Sequence, residues 1–245
     1  MINGIIFGNV LMFSRKVIFL IMLNLSLTGA FLLLAVRMFV AGTDGYFFLL
    51  WNLLLAAIPY AIAVLFEWYA GKEACMTGGL WGVFLLWLFF FPNAPYIVTD
   101  FVHLPWEYAG SKSFAYDFLL IAAFALAGLL FGLGALFRVH RALRKTLGRA
   151  LAQGIVAAVI LLSGVGVYLG RFLRWNSWDV FLNPFLVFRD TVSHYGDPVW
   201  FARAVAISLV FSVGIGVSYL IFLSIHWILG VRENHARVCT DRSDQ

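Results

Sequence analysis

Charged residues are scarce in this 245-residue chain. Only 12% of its residues are Asp, Glu, Lys or Arg, whereas 63% are hydrophobic and 18% are aromatic. A soluble domain normally carries about 25% charged residues. The scarcity of charge therefore excludes an ordinary soluble globular protein and indicates that lipid hydrocarbon surrounds most of the side chains.

Several functional signatures are also missing. The sequence has no Gly-rich nucleotide-binding loop, no recognised catalytic triad and no strong metal-binding motif. Its two cysteines, Cys75 and Cys239, fall on the face that we predict to be cytoplasmic, where thiols stay reduced, so no disulfide is expected. Any activity must therefore be inferred from a few polar residues at one membrane face.

The chain contains long uncharged runs. Six windows of at least 20 residues lack charge, and a helix needs about 20 apolar residues to cross the hydrocarbon core. Barrel strands would instead alternate over about 10 residues. We therefore predict an all-α protein, a polytopic membrane helix bundle that occupies residues 1–245 as one domain. The six predicted transmembrane helices are 17–40, 46–67, 76–97, 117–137, 150–170 and 204–230.

Basic residues are distributed unevenly between the two predicted faces. The short 138–149 loop carries five of them, and such loops resist translocation. We therefore place both termini in the cytoplasm, which gives the cytoplasmic face 11 of the 17 Lys and Arg residues. This topology accounts for the net charge of +5 without any nucleic-acid partner. Membrane lipids are the expected partners, and the sequence does not predict an oligomeric state.

Proline and glycine mark special positions inside the spans. Pro92 and Pro95 remove backbone donors near the end of the third span, so we expect an irregular segment that needs hydrogen-bond partners. The fourth and fifth spans each contain a G-x-x-x-G pair, which lets a neighbouring backbone approach, and we interpret both as packing within the bundle. These pairs are Gly128 with Gly132 and Gly166 with Gly170.

The segment between the fifth and sixth spans mixes aromatic residues with Arg, Asp and Asn. This composition is typical of the membrane interface. Because Pro184 and Pro198 interrupt the segment, we predict an interfacial or re-entrant element. It would cover the polar ends of the neighbouring helices.

The most informative polar residues follow Pro92. Asp100 and His103 are three residues apart, so they share a face on a helical turn, where a carboxylate and an imidazole can act as an acid/base pair or bind a metal. Asp117 begins the fourth span at the same membrane face. We take these three as candidate catalytic residues, with interfacial helix capping as the alternative. The sequence identifies neither a metal nor another cofactor.

A second polar group follows the fifth span. We expect Arg171 and Arg174 to share a helical face, where two guanidinium groups suit a phosphate or carboxylate. Pairing with lipid headgroups or acidic side chains is the alternative. Because charged groups in a membrane usually face a protein interior or a wet cavity, we expect both polar groups to converge. The candidate substrate-binding residues are Asn93, Tyr96, Arg171, Arg174, Asn176 and Asp179.

Three further polar residues lie within or near the spans, and we interpret them as structural. Arg37 and Glu67 can extend towards opposite membrane boundaries. Asn52 can form a hydrogen bond between helices.

Several of these strings together resemble a bacterial membrane family called domain of unknown function 1361. They are W-N-L-L-L-A at 51–56 with Pro59, F-P-N-A-P-Y at 91–96 with Asp100 and His103, Y-D at 116–117, and G-R-x-x-R-x-N-S-W-D at 170–179. The similarity covers about residues 46–184. It implies a multi-pass protein of the bacterial inner membrane and supplies no reaction, ligand or mechanism.

Three functions are compatible with these residues. The first is a membrane-embedded enzyme that acts at the extracytoplasmic face on a lipid or lipid-linked anionic substrate, with the arginines holding the anion. It accounts best for the polar residues, although the sequence does not decide whether the chain is an enzyme. The second is a transporter or channel for a small anionic solute, which would need a polar path through the bilayer. The third is a noncatalytic assembly protein.

The topology is directly testable. A reporter fused after Gln245 and a cysteine introduced by Arg141→Cys should both be cytoplasmic, because the five-charge loop holds its face inside. Reporter activity and labelling by a membrane-impermeant thiol reagent measure the two positions. An external reporter with an internal Arg141→Cys would contradict the predicted topology.

Overall fold

Helices make up every regular element that the structure describes. The computed structural model covers residues 15–41, 45–73, 75–104, 106–175 and 177–243. Six helical stretches are long and apolar enough to cross a membrane, and each overlaps one predicted span. They are Val17–Val40, Phe48–Lys72, Gly78–His103, Lys112–Leu147, Arg149–Phe172 and Pro198–Leu229. The predicted all-α class and the six apolar spans are therefore confirmed.

The helices follow one another through short connections. The first four are α1 (Arg15–Ala41), α2 (Phe48–Lys72), α3 (Gly78–Phe90) and the single turn α4 (Asn93–Tyr96). Two 3₁₀ helices, Ile97–His103 and Trp106–Tyr108, lead to α5 (Lys112–Leu147). The remaining helices are α6 (Arg149–Phe172), α7 (Asp179–Leu182), α8 (Pro184–Gly196) and α9 (Pro198–Ser243).

Side-chain hydroxyl groups cap the N-termini of two of the spanning helices. Thr77 Oγ1 accepts a hydrogen bond from the backbone N–H of Leu80, at the start of α3. Ser111 Oγ accepts one from the N–H of Phe114, at the start of α5. Each cap satisfies a backbone donor that has no partner within its helix. Both helices therefore begin where the sequence supplies a capping residue.

The central helix of the bundle is α5. It contacts α1, α2, α6, α9 and the 3₁₀ helix Ile97–His103. Its most apolar window is 67% buried, compared with at most 39% for the other five spans. Its 36 residues extend about 54 Å, well beyond the roughly 30 Å hydrocarbon core. Four of the other spanning helices and this 3₁₀ helix are thus arranged around α5.

Two apolar clusters fill the bundle at different depths. One lies towards the end that carries Lys72 and the basic residues of 138–149, which we call the basic end, and it contains Phe66, Trp87 and Leu136. The other joins α1, α2 and α5 to the 3₁₀ helix Ile97–His103. It lies towards the opposite end, which carries residues 92–103 and which we call the site end. Since lipid is as apolar as these side chains, close packing stabilises the clusters.

The irregular segment at Pro92 lies between the two glycine pairs. On α5, Gly128 faces Ile97 and Gly132 faces Ala94. On α6, Gly166 faces Pro92 and Gly170 faces Tyr96. A Cβ at Gly166 would lie only 2.7 Å from Pro92 Cγ, and one at Gly128 would lie 2.5 Å from Ile97 Cγ2. The interpretation of both pairs as contacts within the bundle is confirmed.

Two glycine substitutions on α6 test this packing. Ala is intrinsically favoured over Gly in a helix by up to about 1 kcal/mol. Gly154→Ala meets no atom within 4 Å, so it should leave stability unchanged or raise it. Gly166→Ala pushes on the rigid Pro92 ring and should destabilise the protein by roughly 1–3 kcal/mol, as overpacking does. Thermal unfolding in detergent measures the stability of both variants. Equal melting temperatures would contradict the close contact between Gly166 and Pro92.

Candidate functional site

The backbone at residues 90–97 changes direction because proline interrupts the helix. Pro92 has no N–H, and α3 ends at Phe90. The carbonyl of Pro92 accepts a hydrogen bond from the N–H of Tyr96 at 3.0 Å, which forms the single turn α4. A 3₁₀ helix then continues to His103. This segment carries Asn93, Tyr96, Asp100 and His103 at the site end, and its irregular backbone is as expected.

Asp100 and His103 lie against one face of α2. Both carboxylate oxygens of Asp100 accept hydrogen bonds from Asn52 Nδ2, at 3.0 and 2.8 Å. The His103 ring centroid lies 4.7 Å from that of Phe48. Phe48 and Asn52 are four residues apart, so they share a face of α2. Asp100 is fully buried whereas His103 is exposed, so only the imidazole is accessible.

Arg171 joins α6 to this segment. Its Nη1 donates to the hydroxyl of Tyr96 at 3.3 Å, and its Nη2 lies 3.3 Å from His103 Nε2. Because a guanidinium only donates hydrogen bonds, His103 Nε2 must be the acceptor, and the imidazole is therefore the neutral tautomer with its proton on Nδ1. Arg171 thus holds the two neutral side chains together.

The charge of Arg171 is not balanced by an ion pair within the described residues. Arg37 pairs with Asp117, and Arg138 and Arg141 both pair with Glu67. In the part of the chain that the structure describes, no carboxylate lies within ion-pair distance of Arg171. The Asp100 carboxylate attracts Arg171 electrostatically, but the described hydrogen bonds of this half-buried guanidinium are made to neutral groups. Such a guanidinium is suited to binding an anion.

Arg174 lies outside the helix that carries Arg171. The helix α6 ends at Phe172, and Arg174 adopts a left-handed backbone with φ of 60°. The N–H of Trp175 then donates to the carbonyl of Leu169 at 3.4 Å. The expectation that the two arginines share a helical face is therefore wrong, because the chain has left the helix before residue 174. The Arg174 side chain is exposed.

Asp117 belongs to a separate ion pair. Arg37 binds it through two hydrogen bonds, from Nε to Oδ1 at 2.6 Å and from Nη2 to Oδ2 at 3.0 Å. Burial, followed by hydrogen bonding to Asp117, raises the pKa of Tyr46 to about 12, so its hydroxyl stays protonated at neutral pH. The structure therefore gives Arg37 a partner on α5, in addition to its position near the membrane boundary.

A cavity of about 360 Å³ lies beside Tyr96. Its polar lining includes Asn52, Asn93 and Ser177, and Asn93 Nδ2 donates to Ser177 Oγ at 3.1 Å. Its deeper lining is apolar and comes from α2, α3 and α6, while Val187 of α8 also faces it. The apolar lining residues include Leu55, Leu88, Leu162 and Val165. A mainly apolar cavity of this size with a few polar groups is typical of small-ligand sites.

Asp179 and Asn176 are the remaining predicted site residues. Asp179 begins the short helix α7 and is half-buried. Asn176 lies outside the described residues. Within the described part of the chain, no group of three or more His, Cys, Asp or Glu side chains is arranged to hold a metal ion. The structure thus brings Tyr96, His103 and Arg171 together and places Asn93 and Asn52 on the nearby cavity wall.

Asn52 and Ser177 line the cavity but were not among the predicted site residues. Asn52 was expected to bond between helices, which is confirmed, and its partner is the candidate residue Asp100. The sequence signal that could have identified Asn52 is its position as a single amide side chain within an otherwise apolar span. Ser177 carried no comparable signal, because its contact with Asn93 joins residues 84 positions apart.

A second polar group lies at the basic end. Glu67 of α2 binds both Arg138 and Arg141 of α5. Lys145 donates to the carbonyls of Ala70 and Gly71, at 3.4 and 3.1 Å, where α2 ends. A cation near the last carbonyls of a helix is stabilising. These contacts fasten α2 to α5 at the end opposite the cavity.

A protein-family profile described as "Protein of unknown function (DUF1361)" matches residues 51–226, which is more than half of the chain. The chain belongs to the DUF1361 family. The match begins at Trp51 on the cavity wall and extends into α9, further than the predicted 46–184 at its C-terminal side. No curated protein and no solved structure matches the chain. With its six apolar spans, this DUF1361 chain is a multi-pass membrane protein.

The Arg37–Asp117 pair allows a test of the predicted catalytic role of Asp117. Asp117 is 2% exposed, so Asp117→Asn leaves a guanidinium without its counter-charge and should destabilise the protein by about 3–5 kcal/mol. The double variant Arg37→Met with Asp117→Leu should recover most of that loss, since a buried pair can be replaced by apolar side chains. Thermal unfolding measures both variants. An Asp117→Asn protein with unchanged stability would contradict the structural role.

Proposed function

We propose that this DUF1361 protein is a membrane-embedded enzyme that acts on a lipid or lipid-linked anionic substrate. The observation that supports it most is the position of the cavity. It lies within the apolar spans, and its lining includes Tyr96, whose hydroxyl accepts a hydrogen bond from Arg171. An amphipathic anion needs this combination of an apolar chamber and a cationic end. A small hydrophilic anion would gain nothing from the deeper apolar lining.

Arg171 is the proposed anion-binding residue. Its two contacts, both 3.3 Å long, are made to neutral acceptors. Phosphate or carboxylate oxygens form shorter, charge-assisted hydrogen bonds with a guanidinium, so they would compete successfully for these N–H groups. The Tyr96 hydroxyl lies beside the same guanidinium and can donate to the same anion.

His103 is the proposed acid/base residue. While Arg171 contacts Nε2, that lone pair is occupied. An anion that draws Arg171 away would free Nε2 to accept a proton from a substrate hydroxyl or a water molecule. Substrate binding and activation of the base would then be coupled through one side chain.

Asp100 acts on this site through Asn52. It is fully buried, and its described hydrogen bonds are made to the Asn52 amide. Holding Nδ2 fixes the orientation of the amide, so the carbonyl oxygen of Asn52 has a set direction at the cavity wall. We therefore propose a positioning role for Asp100.

The positions of the cavity and of the apolar cluster favour catalysis over transport. On α2, α3 and α6 the cavity residues occupy the site half, whereas the helix halves beyond them contribute to the cluster that contains Phe66 and Trp87. A transport path would need polar groups across the hydrocarbon. Packed apolar side chains along the remaining half are better suited to a site that does not extend across the membrane.

The proposed compartment follows from the distribution of basic residues. With 138–149 in the cytoplasm, the site end would face the extracytoplasmic side of a bacterial inner membrane. The substrate would then be a lipid of the outer leaflet, or a carrier lipid whose anionic group is displayed there.

The enzyme proposal is tested by the lipids of cells that overproduce the protein. Overproduction of the wild-type chain should change the abundance of at least one anionic lipid species, measured by mass spectrometry of total extracts. Arg171→Gln and His103→Gln should each reduce that change at least ~10-fold, because each loss of about 1.4 kcal/mol in transition-state stabilisation costs a factor of ten.

The matched control is Arg189→Gln. Arg189 is exposed and contacts only its neighbour Asp190 at 3.5 Å among the ion pairs of the described residues, so this variant should behave as the wild type does. Protein amounts are equalised by immunoblotting. A wild-type chain that alters no lipid species, or an Arg171→Gln chain as active as Arg189→Gln, would contradict the proposal.

A further inference from the structure

The cavity is open at the side of the bundle. Three of its lining residues are also on the outer surface: Trp51 of α2 is 54% exposed, Phe89 of α3 is 38% exposed and Leu162 of α6 is 53% exposed. The surface around these residues is apolar, because their exposed neighbours include Leu85, Leu86 and Leu161. In a membrane such a surface contacts lipid chains.

The open side lies well inside the hydrocarbon. Leu162 is ten residues before the end of α6 at Phe172, which places it about 15 Å below the helix end. That depth is roughly half of the 30 Å hydrocarbon core. A molecule that enters beside Leu162 therefore comes from among the lipid tails.

The lining of α6 forms a continuous strip. Leu162, Val165, Gly166, Leu169 and Gly170 all face the cavity, and their spacing of three, one, three and one residues places them along one helix face. The strip runs from the open side to Gly170, which contacts the ring of Tyr96. It therefore connects the lipid tails to the residue that Arg171 holds.

Helix α8 covers part of the same cavity. Val187 is half-buried and faces the cavity, whereas Phe185 and Phe188 are 73% and 66% exposed. These two phenylalanines are three residues apart, so they share one face of the helix. An amphipathic helix that is apolar on its outer face suits contact with lipid at the membrane interface. The cavity thus has a cover at α8 and an opening at Leu162.

The size of the cavity limits what can enter. A volume of about 360 Å³ lies near the lower end of the range of about 300–1,000 Å³ that is typical of small-ligand sites. A cavity of this size suits a segment of one chain together with an adjoining polar group better than the two chains of a membrane lipid.

We infer that the cavity receives a single hydrocarbon chain of an anionic lipid, which enters sideways past Leu162 and lies along the α6 strip with its anionic group at Arg171. This inference rests on the proposed function and adds the route and the chain site. It assigns Leu162, Val165 and Leu169 to recognition of the chain, and it makes a long chain a requirement for tight binding.

The test compares two neighbouring residues of α6. Leu162→Trp should narrow the opening, whereas Leu161→Trp enlarges a side chain of nearly equal exposure, 54% against 53%, that does not line the cavity. Binding of dioleoyl phosphatidic acid and of water-soluble dibutanoyl phosphatidic acid to the purified full chain is measured by native mass spectrometry. Thermal unfolding checks that each variant is folded.

The wild-type chain should bind the dioleoyl probe at least ~10-fold more tightly than the dibutanoyl probe. Leu162→Trp should remove most of that difference by weakening only the dioleoyl probe, and Leu161→Trp should bind as the wild type does. Equal effects of the two tryptophan variants, or no preference of the wild type for the long chain, would overturn the inference.

An Arg171→Gln arm separates this inference from the proposed function. If Arg171→Gln weakens both probes at least ~10-fold while Leu162→Trp has no effect, the anion site stands and the chain site is refuted. If inorganic phosphate competes fully with the dioleoyl probe at equal concentration, the chain contributes nothing and the inference likewise fails. If Arg171→Gln weakens neither probe, the anion-binding role of Arg171 is refuted.

Discussion

The close contact between the Pro92 segment and two glycine-bearing helices is the constraint on which the rest of the site depends. Proline removes backbone donors near the end of an apolar span, where the freed backbone groups need partners within the protein. The segment is acceptable there because protein encloses it, with α5 on one side and α6 on the other. The same enclosure fixes Tyr96 next to Gly170 and brings it within reach of Arg171. The packing of this irregular segment thus fixes the positions of the side chains at the site.

The ion pairs that join the described helices lie towards both ends of α5. Asp117 and Glu67 each have arginine partners, at opposite ends of the chain's central helix α5. These contacts fix α1 and α2 against α5. The Arg37–Asp117 pair is neutral overall, whereas Glu67 meets two guanidinium groups and leaves one positive charge at the basic end. Arg171 differs, because its described contacts are neutral. Among the described residues, the half-buried Arg37 and Arg138 each contact a carboxylate, whereas Arg171 contacts Tyr96 on the cavity wall. The anion-binding role proposed for Arg171 rests on this difference.

Much of the architecture followed from the sequence, because its causes are local. The charge-free windows predicted all six spans, since the length of an apolar run reports directly on the hydrocarbon thickness. The irregular segment after Phe90 followed from Pro92 and Pro95. The start of α5 at Lys112, five residues before the predicted 117, was missed because the polar residues of its first turn resemble a loop.

The partners of the polar residues could not be predicted, because they depend on tertiary packing. Nothing local couples Arg37 to Asp117 or Asn52 to Asp100, which are 80 and 48 residues apart. The end of α6 was also unmarked: the left-handed position at residue 174 is occupied by arginine, whereas glycine is usual there. Helical periodicity continued past Phe172 therefore predicts, wrongly, that Arg174 shares a helix face with Arg171. Binding of an anionic lipid at Arg171 is tested most directly by a high-resolution structure of the full chain extracted with its native lipids. We expect an elongated density from Leu162 to Arg171, with its polar end within hydrogen-bond distance of the guanidinium. A cavity that contains only water, or is filled by side chains, with Arg171 still bound to His103, would contradict it.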